Sequence, residues 1–174
     1  LKAAVEDGRR VGGIDISATM IEHCRNFVPQ AVDNLYVLDA ANRSGMPAQS
    51  ADLVFSFAVL KHIPRLKVYY AALDEIMRVM APGAALLLNV NCQDFIHGSF
   101  DKPGRTTNYE TYSDHFRFGE KKAYKSRTYS TWSGVYIGYE QLIERLKAGG
   151  LEILDRFHHT PKKFQGIWVI ARKR

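Results

Sequence analysis

The chain has 174 residues, of which 46% are hydrophobic and 24% charged, so it can bury a core and has the composition of one ordinary globular domain. Its two cysteines, Cys24 and Cys92, lie far apart, which excludes a disulfide framework and a cysteine-based zinc site and fits a reducing compartment. Apolar runs are too short to span a bilayer, so we expect a cytoplasmic protein without a membrane span. The net charge of +6 would attract an anionic ligand or nucleic acid, although most such residues form solvated surface.

The first quarter of the chain alternates helices and strands. LKAAVEDG predicts the end of a helix that a glycine terminates, and RRVGGIDI predicts a short strand. A helix is expected over residues 18–28, with Ser17 as its N-cap. NLYVLDA then predicts a second strand that ends in an acid.

The next segment continues the alternation. NRSGMPAQSA predicts a loop from its glycine, proline and serine content. ADLVFSFAVL predicts a third strand, which is apolar enough for a sheet covered on both faces. A helix is expected over residues 65–80, and APGAALLLNV predicts a turn and a fourth strand. This order indicates a parallel sheet with helices on its faces.

The last part of the chain departs from the alternation. Residues 92–134 are polar and rich in aromatic and charged side chains, which predicts an excursion from the core. GYEQLIERLKAGG predicts a helix with a glycine stop, and LEILDRFHH and FQGIWVIARKR predict two strands. Because the link between them is short, we expect the two strands to be antiparallel.

Polar or aromatic residues follow three predicted strands, at the edge of an open parallel sheet where ligands bind. They are Asp15, Asp39 and Phe57. An acid at such a position can accept both ribose hydroxyls of a nucleoside, each bond contributing roughly 1.5–3 kcal/mol. The alternative is structural: Asp15 or Ser17 caps the following helix, and Asp39 starts a turn. Two acids in this order favour a nucleoside site.

Three segments together resemble the class I S-adenosylmethionine-dependent methyltransferases, in the small-molecule branch that includes the ubiquinone- and menaquinone-biosynthesis type. They are GIDISATMIEHCR, LDAANRSGMPAQSADLVFSFAVLKHI and LDEIMRVMAPGAALLLNV. The resemblance implies an α/β fold, a Rossmann-like three-layer sandwich whose mostly parallel sheet has an antiparallel last strand. It divides a single domain, 1–174, into a cofactor half (1–91), a substrate or lid excursion (92–134), and a C-terminal helix with an antiparallel strand pair (135–174).

The resemblance also implies roles for individual residues. Asp15 binds the ribose diol, Ile16 packs on adenine, Asp39 meets the adenine amine, and Phe57 lines the methionine end. The expected cofactor-binding residues are Asp15, Ile16, Met20, Asp39, Ala40 and Phe57, with S-adenosyl-L-methionine as cofactor and no metal.

Methyl transfer is an in-line displacement, in which orientation contributes about 7–11 kcal/mol and a general base helps when the acceptor loses a proton. His62, just past the third strand, is the candidate base; the alternative is a packed or capping histidine. His97 and His115 lie in the excursion, where a small-molecule acceptor would approach. The aromatic residues of 92–134 would form a lid over that acceptor, or anchor a surface insertion.

One family feature has no counterpart in the sequence, namely the strand and glycine-rich loop that precede the first helix. The chain is therefore expected to be N-terminally truncated relative to the family. Its sheet must leave a gap, pair two strands that normally do not touch, or borrow a strand. We expect residues 1–174 alone to be poorly stable, to bind cofactor weakly or not at all and to lack activity, and an upstream strand and loop to restore these properties.

Four functions remain open at this point. The first is a small-molecule methyltransferase, and the second a non-catalytic remnant or partner subunit with the same fold. A dehydrogenase that uses NAD is a third, because an acid after a second strand also serves that cofactor. The fourth is an RNA methyltransferase, which the net charge admits but which we do not favour. The sequence does not name the methyl acceptor or the oligomeric state.

Overall fold

The computed structural model describes residues 2–39, 43–63, 65–92, 109–110, 135–158 and 166–174. Its helices and strands largely follow the predicted order, and the short β5–β6 pair is additional. In chain order they are α1 Lys2–Glu6, β1 Gly13–Asp15, α2 Ala18–Phe27, β2 Leu35–Val37, β3 Ala51–Ser56, α3 Leu66–Val79, β4 Met80–Asn91, β5 Tyr109–Glu110, β6 Val135–Tyr136, α4 Tyr139–Ala148, β7 Leu151–His158 and β8 Gly166–Lys173, with 3₁₀ turns at Pro29–Asn34 and Leu60–His62.

The main sheet has four strands in the order β3-β4-β8-β7. β3 and β4 are parallel, and β8 is antiparallel to both of its neighbours. The predicted parallel crossover through α3 and the predicted antiparallel terminal pair are therefore confirmed. A mixed α/β fold with an antiparallel last strand is the Rossmann-like class that the sequence indicated.

Helices α3 and α4 cover one face of this sheet and form the principal core with it. Alternate residues of β4 and β8 point into this core, and the apolar stripes of the two helices pack on them. The largest fully buried side chains here are Tyr69, Leu73, Leu86, Leu88, Val90, Leu142, Leu146 and Ile167. Burial contributes roughly 1.5–3 kcal/mol for each large aliphatic side chain, so this layer supplies most of the stability of the fold.

The opposite face of β3 is open to solvent. Leu53 is 66% exposed and Phe55 is 60% exposed, so the expectation that this strand is covered on both faces is wrong. The rings of Phe55 and Phe57 each stack on Trp168, at centroid distances of 6.0 and 5.4 Å, and Phe157 stacks on its other side at 5.9 Å. We call these four side chains the aromatic row. They shield part of one another but leave an apolar surface uncovered.

β1 and β2 form a separate parallel sheet, in which Gly13 pairs with Leu35 and Asp15 with Val37. A side chain at Gly12 would lie 2.8 Å from the carbonyl oxygen of Asn34, so the close approach of the chain at this point requires glycine. Helix α2 packs against this pair through Ile21. Among the described residues no strand pairing joins β1 to β3, and which of the three expected arrangements the sheet adopts stays a prediction.

The loop that follows β2 is tied to α3 by a buried carboxylate. Glu75 is only 5% exposed and accepts hydrogen bonds from the backbone and hydroxyl of Ser44, at 2.8 and 2.6 Å. Arg78 donates to both oxygens of Glu75, and also to the carbonyl oxygen of Met46 at 2.6 Å. We call these four residues the clamp. The hydrogen bonds from Arg78 and Ser44 lower the pKa of Glu75 to about 2, against the opposing effect of burial.

Most of the excursion lies outside the described residues. Of the predicted mobile segment 92–133, only Cys92 and the short strand β5 are described, and β5 pairs with β6. The predicted mobility of this segment therefore stays a prediction.

Hydrogen exchange should separate the two sheets. β4 and β8 are paired on both sides, whereas β1 and β2 form an isolated pair, which is marginally stable by itself. We expect amides of β1 and β2 to exchange at least about tenfold faster than those of β4 and β8. Equal protection, measured by mass spectrometry or NMR, would show that the two sheets unfold as one unit.

Acid should destabilise the chain partly through Glu75. Its folded-state pKa of about 2 is below the ordinary 4.5, so the carboxylate stabilises the fold above pH 4.5, and this contribution is lost as the pH falls towards 2. Between pH 6.5 and 3.5 the loss amounts to about 1.4 kcal/mol. Urea unfolding of Glu75→Gln should lack this part of the pH dependence. Asp74→Asn, which removes an exposed carboxylate one residue away, should keep it; equal pH dependence in wild type and Glu75→Gln would contradict the assignment.

Candidate functional site

Asp15 lies at the carboxyl end of β1, where its side chain shapes the turn into α2. Its Oδ1 accepts a hydrogen bond from the backbone N–H of Ser17 at 2.7 Å. The hydroxyl of Ser17 in turn accepts from the N–H of Met20 at 3.2 Å, so Ser17 is the predicted N-cap. Asp15 therefore orients the cap and does not itself cap the helix. One bond occupies only part of the acceptor capacity of a carboxylate, which has about four lone-pair sites.

Asp39 lies two residues beyond the end of the neighbouring strand β2. The N–H of Leu38 donates to the carbonyl oxygen of Asp15 at 2.9 Å, which extends the contact between the two strands to this point. Asp39 closes a turn with Arg43: its N–H donates to the carbonyl oxygen of Arg43 at 2.9 Å, and its Oδ1 accepts from the N–H of Arg43 at 2.8 Å. Because adjacent parallel strands lie about 4.8 Å apart, the two acids share one edge of the small sheet.

Two exposed apolar side chains lie beside Asp15. Ile16 is 75% exposed and Met20 is 52% exposed, and both lie in the turn and first helical turn that follow β1. Apolar side chains next to hydrogen-bond acceptors suit a ligand with a flat ring and a hydroxylated sugar. These residues therefore fit a nucleoside chemically. Ala40, the other expected member at this edge, lies outside the described residues.

Phe57 and His62 lie beyond the carboxyl end of β3. Phe57 is half exposed and stacks on Trp168, so it belongs to the aromatic row as well as to the strand end. The next residue, Ala58, has φ 58°, a left-handed conformation that is strained for a residue with a side chain and turns the chain into the following 3₁₀ segment. His62 is exposed, and partial desolvation together with the charge of Lys61 lowers its pKa. His62 is therefore a neutral imidazole at pH 7, the form that can accept a proton.

The clamp was not identified from the sequence. Glu75 was assigned to the helix 65–80 without a role, although Arg78 follows it at i+3, a spacing at which side chains on a helix meet. That spacing was the available signal. The partner loop at Ser44 lies 31 positions away and could not be assigned to Glu75 from local pattern.

No group of three or more His, Cys, Asp or Glu residues in the described part of the chain could hold a metal ion. No described helix is long and apolar enough to cross a membrane. His97 and His115 lie outside the described residues.

Comparison with solved structures finds the same fold in several proteins. A S-adenosylmethionine-dependent methyltransferase from Methanosarcina mazei matches 99% of this chain and 85% of its own, at 18% identity and a TM-score of 0.64. The Burkholderia thailandensis 1,6-didemethyltoxoflavin-N1-methyltransferase, solved with 1,6-didemethyltoxoflavin and S-adenosylhomocysteine, matches 99% of this chain and 64% of its own, at 16% identity and a TM-score of 0.58. The N-methyltransferase NodS from Bradyrhizobium japonicum, solved with S-adenosylhomocysteine, matches 94% and 66%, at 15% identity and a TM-score of 0.57.

A search of curated protein sequences finds no match. The family model of the methyltransferase domain matches residues 1–88, which include β1, β2, β3 and most of β4. This match spans half of the chain and contains both acids of the candidate site. The chain therefore belongs to the methyltransferase domain family, the class I enzymes that use S-adenosylmethionine as cofactor.

Proposed function

We propose that this chain is a cytoplasmic methyltransferase that transfers a methyl group from S-adenosylmethionine to a small-molecule acceptor. The observation that carries the proposal is the pair of acids, Asp15 and Asp39, at the ends of adjacent parallel strands, with exposed apolar side chains beside the first. The similarity in fold to a methyltransferase solved with 1,6-didemethyltoxoflavin supports the class of acceptor.

The proposed roles follow the chemistry of each side chain. Asp15 accepts hydrogen bonds from the two ribose hydroxyls, while its bond to Ser17 keeps the carboxylate aligned. Ile16 and Met20 pack on the adenine ring, and Asp39 accepts from its amino group. Phe57 lines the methionine end, and Ala40, which lies outside the described residues, stays an expected cofactor-binding residue. No metal takes part in this set.

The bound cofactor would supply a methyl group that is already activated on a sulfonium. The protein then has to position the acceptor in line and exclude water, which together lower the barrier without covalent catalysis. His62 is the proposed base when the acceptor loses a proton, because it is neutral at pH 7 and lies just past the end of β3. His62→Gln should leave the affinity for S-adenosylhomocysteine unchanged; a loss measured by calorimetry would place His62 at the cofactor instead.

A second candidate is a non-catalytic protein with the methyltransferase fold. Two observations on the described residues favour it: no strand pairing joins β1 to β3, and the aromatic row is largely exposed. The family match argues against the NAD-dependent dehydrogenase. An RNA methyltransferase would show a steep salt dependence of RNA binding, which we do not expect.

Substitutions at Asp15 separate the ribose-binding role from the turn-forming role. Asp15→Ala removes both, whereas Asp15→Asn keeps an oxygen that can accept from the N–H of Ser17 and loses the charge. In any version of the chain that binds S-adenosylhomocysteine, we expect Asp15→Ala to weaken binding at least about tenfold, since one carboxylate holds two hydroxyls. Asp15→Asn should lose most of the same affinity while keeping the melting temperature of the wild type.

Isothermal titration calorimetry measures both variants, with Asp33→Asn on the exposed surface of the 3₁₀ turn as the matched control. An unchanged dissociation constant in Asp15→Ala would limit Asp15 to its role in the turn. Absence of S-adenosylhomocysteine binding at millimolar concentration, both in this chain and in a version extended upstream, would favour the non-catalytic candidate.

A further inference from the structure

We propose that Glu75 is a positioning residue for the adenine end of the cofactor site, acting through Ser44 and Arg43 on the carboxylate of Asp39. The proposal rests on the proposed function, because it assigns Asp39 to the adenine amine. It goes further, because it makes recognition of the cofactor depend on Glu75, a residue of helix α3 that contacts the loop following β2.

The clamp fixes the loop at two points on either side of Gly45. Glu75 holds Ser44 through both its N–H and its hydroxyl, and Arg78 holds the carbonyl oxygen of Met46. The hydroxyl of Ser44 also accepts from the N–H of Met46 at 3.2 Å, which tightens the turn between them. A buried carboxylate that accepts four hydrogen bonds has little freedom to move, so the clamped segment is set relative to α3.

The clamped segment is directly joined to the turn that orients Asp39. Arg43 precedes Ser44; its N–H donates to the side chain of Asp39, and its carbonyl oxygen accepts from the N–H of Asp39. A shift of Ser44 therefore moves the N–H that aligns Asp39 Oδ1. Gly45 adds a contact with β2, since a side-chain carbon placed there would lie 3.3 Å from the ring of Tyr36.

Asp74, the acid next to Glu75 on α3, forms an ion pair with a residue of another helix. Asp74 binds Arg145 of α4, and both side chains are partly exposed, at 49% and 39%. Exposed pairs contribute little to stability, and the side-chain hydrogen bonds of Asp74 run to Arg145 and not to the loop. Asp74→Asn is therefore a matched control for Glu75→Gln on the same helix.

The first experiment needs no ligand. Amide exchange of Arg43 and Ser44 is measured by NMR in wild type, Glu75→Gln and Asp74→Asn, and corrected for global stability by the amides of β4 and β8. Because the Arg43 N–H reports its bond to Asp39, we expect Glu75→Gln to accelerate both amides at least about tenfold and Asp74→Asn neither.

Acceleration at Ser44 without acceleration at Arg43 would overturn the proposal, because Asp39 would then be oriented independently of the clamp. If Glu75→Gln does not fold, Ser44→Ala serves instead, since it removes the two hydrogen bonds of the Ser44 hydroxyl, to Glu75 and from the N–H of Met46, and keeps the backbone bond to Glu75. Exchange of the Arg43 and Ser44 amides in Ser44→Ala then tests the proposal in the same way.

The second experiment tests recognition of adenine. In S-inosylhomocysteine a carbonyl group replaces the amino group of adenine. This carbonyl cannot donate a hydrogen bond to the carboxylate of Asp39. We expect the wild type to bind S-adenosylhomocysteine more tightly than S-inosylhomocysteine. The ratio of the two dissociation constants should fall at least about threefold in Glu75→Gln, as it should in Asp39→Ala. Asp74→Asn should keep it.

The two ligands distinguish positioning from simple stability. A structural role for Glu75 would weaken binding of both ligands equally and leave their ratio unchanged, and that outcome would overturn the proposal. If neither ligand binds to this chain or to a version extended upstream, the proposed function is rejected, while the exchange of Arg43 still decides whether Glu75 orients Asp39.

Discussion

The buried carboxylate of Glu75 joins parts of the molecule that no strand pairing joins among the described residues. On one side lies α3, which packs on the main sheet; on the other lies the loop from the small sheet to β3. The ion pair with Arg78 neutralises the charge that burial would otherwise penalise. The position of Asp39 relative to the core therefore depends on a polar interaction, whereas the main sheet itself depends on apolar burial.

Among the described residues the two sheets are not paired. The loss of stability from unpaired backbone groups at their edges is smaller than the loss from apolar side chains left exposed. Unpaired backbone groups destabilise a protein by about 1–3 kcal/mol each when they are buried, but groups in contact with water find partners there. Leu53 and Phe55 on the edge strand β3 are largely exposed, and burial of each would contribute roughly 1.5–3 kcal/mol.

Local pattern was enough to predict most helices and strands and the N-cap at Ser17, because these depend on periodicity and on nearest neighbours. It also placed Asp15 and Asp39 at strand ends, where the structure has them. The exposed face of β3 could not be predicted, because an apolar strand has the same sequence pattern whether or not a second layer covers it. The clamp was missed because Glu75 and Ser44 are brought together only by the tertiary fold.

Both acids of the candidate site have a structural task as well as the proposed binding task. Asp15 aligns the cap of α2, and Asp39 closes the turn with Arg43. A carboxylate that is already held by a backbone N–H loses less conformational freedom when a ligand binds, and this lowers the cost of recognition. The structural alternative raised by the sequence is therefore not a competitor of the nucleoside site. The same hydrogen bonds that a cap or turn requires are those that would preorganise Asp15 for ribose and Asp39 for adenine.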